Sequence, residues 1–158
     1  MPKVKLDRID RKILHDLQEN GRMTNVELAH NAGISAPPCL RRVRALEEAG
    51  VIKGYHADLD PSTLGYGITV FAQVGLANQG EGELKKFEDA VRSWPLVREC
   101  YLVSGEADYI IKIVAEDWDA YQKFLTTHLT TAPNVSHIKS ALGVRVAKYK
   151  PGVPVDVD

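Results

Sequence analysis

Beyond Pro61 the hydrophobic period of the chain switches repeatedly between two and 3.6 residues, and that alternation limits what it can fold into. Ile68, Val70, Ala72, Val74 and Leu76 recur at every second position, the spacing of a strand with one buried face. Asn78-Gln79-Gly80 breaks the run as a loop. Glu81 to Trp94 then sets Leu84, Phe87, Val91 and Trp94 on one helical face, closed by Pro95. Val97 to Val103 returns to the strand pattern, Ser104-Gly105-Glu106-Ala107-Asp108 forms a turn, and Tyr109 to Ala115 is a third strand. Asp117 opens a second helix carrying Trp118, Tyr121, Phe124, Leu125 and Leu129. The last strand runs from Val135 towards Lys148, with Gly143 as an expected bulge. The order βαββαβ is the split-βαβ arrangement of a ferredoxin-like unit.

Such a unit packs both helices on one face of its sheet and leaves the other face to be covered. In Tyr109-Ile110-Ile111-Lys112-Ile113-Val114 both alternating sets contain large apolar residues, so neither face suits water. Pairing of two sheets would bury that second face at about 25 cal/mol per Å² of apolar area, and self-association is expected on that ground. With 158 residues and 44% apolar content, the chain can build two small cores.

The N-terminal part is helical. Leu6 to Asn20 places Leu6, Ile9, Ile13, Leu14 and Leu17 at helical spacing, and Gly21 is expected to close the helix as its C′ residue. Thr24-Asn25-Val26-Glu27 is a capping box that opens a short helix through Leu28, Ala29 and Ala32 to Gly33. Ala29 and Gly33 are the small residues that a tight helix–turn–helix packing requires. A third helix spans Ser35 to Ala49 before Gly50. Val51 to Leu59 is β-rich and reads as a wing or connector, ending at Asp60-Pro61.

The third helix divides its residues between two tasks. At about 100° per residue, Ala36, Cys39, Leu40, Val43 and Leu46 fall on the side that needs a core. Pro37, Pro38, Arg41, Arg42, Arg44 and Ala45 spread over the other, which suits an anionic surface such as a DNA major groove. Ser35 is the natural N-cap, but the positions whose N–H it would bind are Pro37 and Pro38, which have none. Its hydroxyl is therefore left to donate elsewhere, to a phosphate or to water. Because Ala36 and Pro37 each precede a proline, the helix is expected to begin a residue or two late. The alternative for Arg42 and Arg44 is pairing with Glu47, Glu48 or Glu19. Charge is split along the chain: residues 1–56 hold 10 Lys+Arg against 7 Asp+Glu, and residues 57–158 hold 10 against 14.

Several function classes find no support. No apolar run reaches the roughly 18 residues of a membrane helix, and the start, MPKVKLDRID, lacks the apolar core of a signal peptide. Cys39 and Cys100 supply neither a disulfide framework nor metal spacing, so a reduced, cytoplasmic setting is expected. His15, His30, His56, His128 and His137 are scattered, and Thr126, Thr127, Thr130 and Thr131 read as surface and helix-end residues. No phosphate-cradling glycine loop or nucleophile elbow is present; no cofactor, metal or catalytic residue is expected.

The segments LDRIDRKILHDLQENGR, NVELAHNAGIS and PPCLRRVRALEEAGVIKGY, followed by VRECYLVSGEADYIIKI and APNVSHIKSALG, resemble the leucine-responsive regulatory protein/AsnC family of transcription regulators. The resemblance runs from Leu6 to about Lys148. It implies an α+β chain: a helix–turn–helix (winged-helix-like) DNA-binding domain over 1–59, a hinge over 60–67, and a ferredoxin-like effector-binding and dimerisation domain over 68–150; the tail over 151–158, with two prolines and no pattern, is expected to be extended or loose. Family members act as homodimers that assemble further, commonly to octamers, and bind an amino acid or related small molecule between subunits. Carried onto this sequence, double-stranded DNA meets Ser35, Pro37, Pro38, Arg41, Arg42 and Arg44, with Arg41 reading a base and the flanking arginines holding phosphates. The effector meets Ser104, Gly105, Glu106, Ala107 and Asp108, with Ser136 and Ser140 completing the pocket and Tyr101 and Leu102 shaping its wall. Gly105 lets backbone N–H groups approach a carboxylate, and Asp108 takes an ammonium. Two other readings stay open: an enzyme resembling sirohaem decarboxylases on the same scaffold, and an architectural DNA-binding protein without an effector.

Overall fold

The computed structural model describes residues 4–157 and divides the chain where Asp58 gives way to Leu59 and again where Lys148 gives way to Tyr149. The first unit thus holds residues up to 58 together with the C-terminal tail, and the second holds Leu59–Lys148. Met1 to Lys3, in the expected first domain, and Asp158, in the expected tail, lie outside the described residues.

Three helices build the first unit. In α1 (Arg8–Glu19) the N-cap Asp7 and Asp10 bind each other's backbone N–H in a capping box. The helix stops at Asn20 in extended backbone (φ −145°), rather than through a left-handed Gly21. In α2 (Asn25–Ala32) Thr24 and Glu27 form the expected capping box, and Gly33 closes the helix at φ +70°. The third helix, α3 (Ala36–Glu48), begins directly after Ser35 with both prolines in its first turn, so there is no delay. It ends in a Schellman motif: the N–H of Val51 bonds Leu46 O and that of Gly50, at φ +70°, bonds Glu47 O. Ile13, Leu28, Ala29, Cys39, Val43 and Leu46 form the core. Cys39 is wholly buried while Leu40, expected beside it, is 38% exposed. The core is centred nearer Cys39, Val43 and Leu46, and Leu40 falls on its margin. One carboxylate is buried here: Asp16 accepts from Lys12 Nζ (2.8 Å), Asn31 Nδ2 (3.1 Å) and faces His15 Nδ1 (3.2 Å), tying α1 to α2.

One expectation for this unit fails. Residues 51–59 form no strand: the two N–H groups after Gly50 turn back onto Leu46 O, and among the described residues of the unit no strand is present to satisfy the rest. The tail, expected to be extended or loose, forms no helix or strand among its described residues but is tied to α1. Lys150 pairs with Glu19 at 2.8 Å, and the Gln18 amide clasps the Val153 backbone, donating to its carbonyl (2.5 Å) and accepting from its N–H (3.1 Å).

The second unit is the predicted βαββαβ: β1 (Ile68–Leu76), α4 (Glu81–Arg92), β2 (Val97–Leu102), β3 (Tyr109–Ala115), α5 (Trp118–Phe124) and β4 (Val135–Leu142). The sheet is antiparallel in the order β2-β3-β1-β4. Val70, Ala72 and Val74 of β1 and Tyr109, Ile111 and Ile113 of β3 meet Phe87, Trp94, Tyr121 and Phe124 beneath the helices. A π-helical turn, Leu125–Leu129, extends α5. Thr126, Thr127, Thr130 and Thr131 each donate a hydroxyl to carbonyls three or four residues back, competing with the helical N–H groups there. The last strand ends at Leu142, short of Lys148, and its register shift with β1 lies at Gly75 and Leu76 instead of at Gly143. The sheet face opposite α4 and α5 is more mixed than expected. One cross-strand row reads Tyr101–Ile110–Gln73–Lys139 and the next Glu99–Lys112–Phe71–Ala141. Lys112 and Tyr101 both hydrogen-bond Glu99, beside half-buried Ile110 and Val114.

Candidate nucleic-acid interface and ligand turn

The outer stripe of α3 is built by helical spacing alone. Pro37, Arg41, Arg44, Ala45 and Glu48 are exposed along it, opposite the core formed by Cys39, Val43 and Leu46. Among the described residues neither Arg41 nor Arg44 has a hydrogen-bonding or ionic partner. The Ser35 hydroxyl caps nothing, as the two prolines require, and Pro38 is half-buried behind it. An unbonded hydroxyl at a helix N-terminus, with two unpaired guanidiniums along the same stripe, suits an anionic groove.

Arg42 departs from this set. Its Nη1 donates to Asp7 Oδ2 at 2.7 Å and to Asp10 Oδ1 at 2.8 Å, both on the first turn of α1. The alternative pairing with glutamates does not form: Glu19 pairs with Lys150, Glu47 accepts from the Tyr55 hydroxyl at 2.8 Å, and Glu48 meets neither Arg42 nor Arg44. Hydrogen bonds from Asp10 N–H and Arg42 hold the Asp7 carboxyl below the usual range, and the two carboxylates raise Arg42.

The turn 104–108 is closed by a bond from Val103 N–H to Asp108 O (2.9 Å) and anchored by buried Ala107. Ser104, Gly105 and Glu106 are exposed, and Gly105 stands at φ +147° with open space around it. Among the described residues no acceptor meets the N–H groups of Ser104 to Ala107, leaving them able to bind an anion. Asp108 is not wholly available for an ammonium: its Oδ2 accepts from Leu76 N–H (2.6 Å) and from Gln79 Nε2 (3.4 Å). Its Oδ1 remains without a partner among the described residues. Ser136 donates to Gly75 O at 3.0 Å. Asp108 and Ser136 therefore hold opposite ends of one peptide unit, Gly75–Leu76, at the register shift of β1 and β4.

Ser140 lies apart from that peptide, opposite Ala72, with its hydroxyl against that of Tyr121. It does share with Ser136 an open groove of about 360 Å³ whose wall includes Leu125, Thr130 and His137. Tyr101 and Leu102 sit on opposite faces of β2, both exposed, so they do not form one wall. Two residues not assigned to the site from sequence lie beside it or on the same loop: Gln79, which donates to Asp108, and Asn134, which at φ +66° exchanges hydrogen bonds with Asn78. The Asn-Gln-Gly loop signal marked one side of this latch; its partner lies 56 residues away. Among the described residues no cluster of His, Cys, Asp or Glu could hold a metal ion, and no helix is long and apolar enough to cross a membrane.

Comparison with known proteins places both units. Residues 6–53 match a winged helix–turn–helix DNA-binding model, although no β wing forms among the described residues, and residues 69–153 match the Lrp/AsnC ligand binding domain. The chain is 53% identical over 146 residues to the leucine-responsive regulatory protein of Rhizobium meliloti, covering 92% of this chain and 94% of that protein. A crystal structure of a Neisseria meningitidis transcriptional regulator in complex with L-Met superposes with a TM-score of 0.91 at 35% identity, over 96% of this chain and 98% of the other. An AsnC family transcriptional regulator from Agrobacterium tumefaciens gives 0.88 at 36% identity, over 94% and 97%. With the two models in tandem and relatives matched almost end to end, the chain belongs to the Lrp/AsnC family of DNA-binding transcription regulators.

Proposed function

We propose that this regulator reads double-stranded promoter DNA through the outer stripe of α3 and responds to an amino acid bound at the turn 104–108. The observation that carries the first half is the unpaired Arg41 and Arg44 beside an unbonded Ser35 hydroxyl. Arg41 takes the base contact, while Ser35, Arg44 and the first turn at Pro37 and Pro38 approach phosphates. The second half is supported by the unpaired N–H groups around Gly105, suited to a carboxylate, and by Asp108 Oδ1, suited to an ammonium. The Neisseria relative bound to L-Met points to the same ligand class. Ser136 enters as a holder of the Gly75–Leu76 peptide, and Ser140 through the groove that it shares with Ser136.

On this reading two chains pair through the sheet face opposite α4 and α5, around Phe71, Ile110 and Val114, and dimers assemble further, to octamers, with the effector between subunits. An effector there biases the placement of the dimers and so the spacing of the paired reading helices. The chain works in the cytoplasm by binding alone and catalyses no reaction. Sequencing of genomic fragments retained by the protein, with and without an amino-acid mixture, tests both halves. A discrete fragment set whose occupancy changes with the mixture is expected. Uniform retention of all fragments, unaffected by the mixture, overturns the reading. Asp108→Asn keeps an acceptor for Leu76 N–H but removes the charge, and is expected to abolish the amino-acid response while leaving the fold intact.

A further inference from the structure

Arg42 lies about 100° around α3 from Arg41, between the exposed stripe and the core. Its guanidinium reaches across to α1, where one nitrogen, Nη1, bridges Asp7 and Asp10. Those two carboxylates are themselves fixed, because each uses its other oxygen to accept the N–H of its capping-box partner, at 2.8 and 3.2 Å. The result is a closed set of hydrogen bonds joining the rigid first turn of α1 to the middle of α3. The Asp10 side chain is only 15% exposed, so withdrawing Arg42 towards a phosphate would strand a poorly hydrated carboxylate. It would also leave two negative charges beside the anionic groove.

We propose that Arg42 is a positioning residue that sets the roll of α3 about its own axis, so that Arg41 and Arg44 face outward, and that it makes no phosphate contact. This rests on the reading of α3 as the DNA-facing helix. A roll pin acts on selectivity: a helix turned by a fraction of a residue keeps its charge near the duplex but loses bidentate alignment with a base edge. A phosphate ligand acts on the ionic-strength dependence, with each contact adding about 0.9 to the slope of log K against log salt.

The test uses full-length protein and two duplexes of equal length: one of random sequence, and one enriched from a random pool by the wild-type protein. Arg42→Gln is expected to leave the salt slope on random duplex unchanged, and to lower the ratio of affinities for enriched over random duplex by about tenfold. Arg42→Lys, which keeps an ammonium between the two carboxylates, is expected to recover most of that ratio. If Arg42→Gln does not fold, the combined Asp7→Asn, Asp10→Asn, Arg42→Gln variant retains acceptors for both capping N–H groups without stranding a charge, and is expected to show the same two results. A slope lowered by about 0.9 with an unchanged ratio makes Arg42 a phosphate contact and overturns the proposal. An unchanged ratio with an unchanged slope overturns it as well. If wild-type protein binds neither duplex, the DNA-facing reading itself is wrong, which is a separate and recognisable outcome.

Discussion

Arg41 and Arg42 are neighbours of the same charge, yet one faces open solvent and the other is held by two carboxylates of another helix. Their roles separate in measurement. Arg41→Ala is expected to cost about 1–3 kcal/mol of discrimination between cognate and random duplex, as the loss of a bidentate base contact does. Arg44→Ala is expected to weaken all duplexes alike and to reduce the salt slope by about 0.9. Filter binding across a salt series distinguishes the two patterns. The buried Asp16 makes a prediction about acid. Burial raises its pKa, but hydrogen bonds from Lys12, His15 and Asn31 outweigh that and leave it below the usual carboxylate range. A lowered folded pKa means that the unfolded chain binds the proton first. The stability from this group is thus full above the unfolded value, about 3.9, and is lost as pH falls through the lower folded value. Asp16→Asn is expected to flatten the acid limb of a urea-midpoint profile below about pH 4, with little change in its shape near neutrality. A wild-type acid limb in that variant would detach Asp16 from the linkage.

At the scale of elements, what could be read from sequence was what depends on neighbours within a few positions. The Thr24–Glu27 box, the left-handed Gly33 and the alternating β1 and β3 all follow from local spacing, and the structure has them. Gly33→Ala checks how much such a local signal contributes. The position has open space around it, so the cost is the φ of +70° alone, about 1 kcal/mol, read as a lowered urea midpoint of the first unit. What local spacing does not show depends on distant partners. Val51 to Leu59 has β propensity, but among the described residues no strand pairs with it, and a strand without a partner leaves its backbone groups unsatisfied. Helical spacing sets Arg42 on the flank of α3 but cannot show that Asp7, 35 residues earlier, lies beside it. Asp108 reads from sequence as a charge in a turn. Its engagement with Leu76 N–H became visible only once β1 and β3 were paired, with Asp108 N–H on Val74 O.

For the molecule as a whole, the sheet face opposite α4 and α5 decides, on the proposed pairing, whether one chain is a sufficient reading unit. Phe71 is 44% exposed there, and its cross-strand neighbours are Lys112 and Ala141. On this face Lys112, paired with Glu99, lies between Ile110 and Val114 along β3 and opposite Phe71 of β1, so polar and apolar groups alternate across it. On the proposed pairing a partner sheet covers Phe71, Ile110 and Val114 together with the Lys112–Glu99 pair, a mixed apolar and polar composition that protein interfaces commonly carry. In a twofold assembly one substitution appears twice, so a charge placed at the centre acts against both chains at once. Phe71→Glu is expected to leave the monomer folded, because the side chain lies outside the core, and to convert dimer to monomer in sedimentation. Losing the partner also removes the second reading helix. Affinity for a DNA site holding two half-sites should then fall by 10²-fold or more, while affinity for a single half-site stays nearly unchanged. If Phe71→Glu stays dimeric and binds two half-sites as the wild type does, the sheet face does not join the chains, and the pairing of the reading helices has to come from another surface.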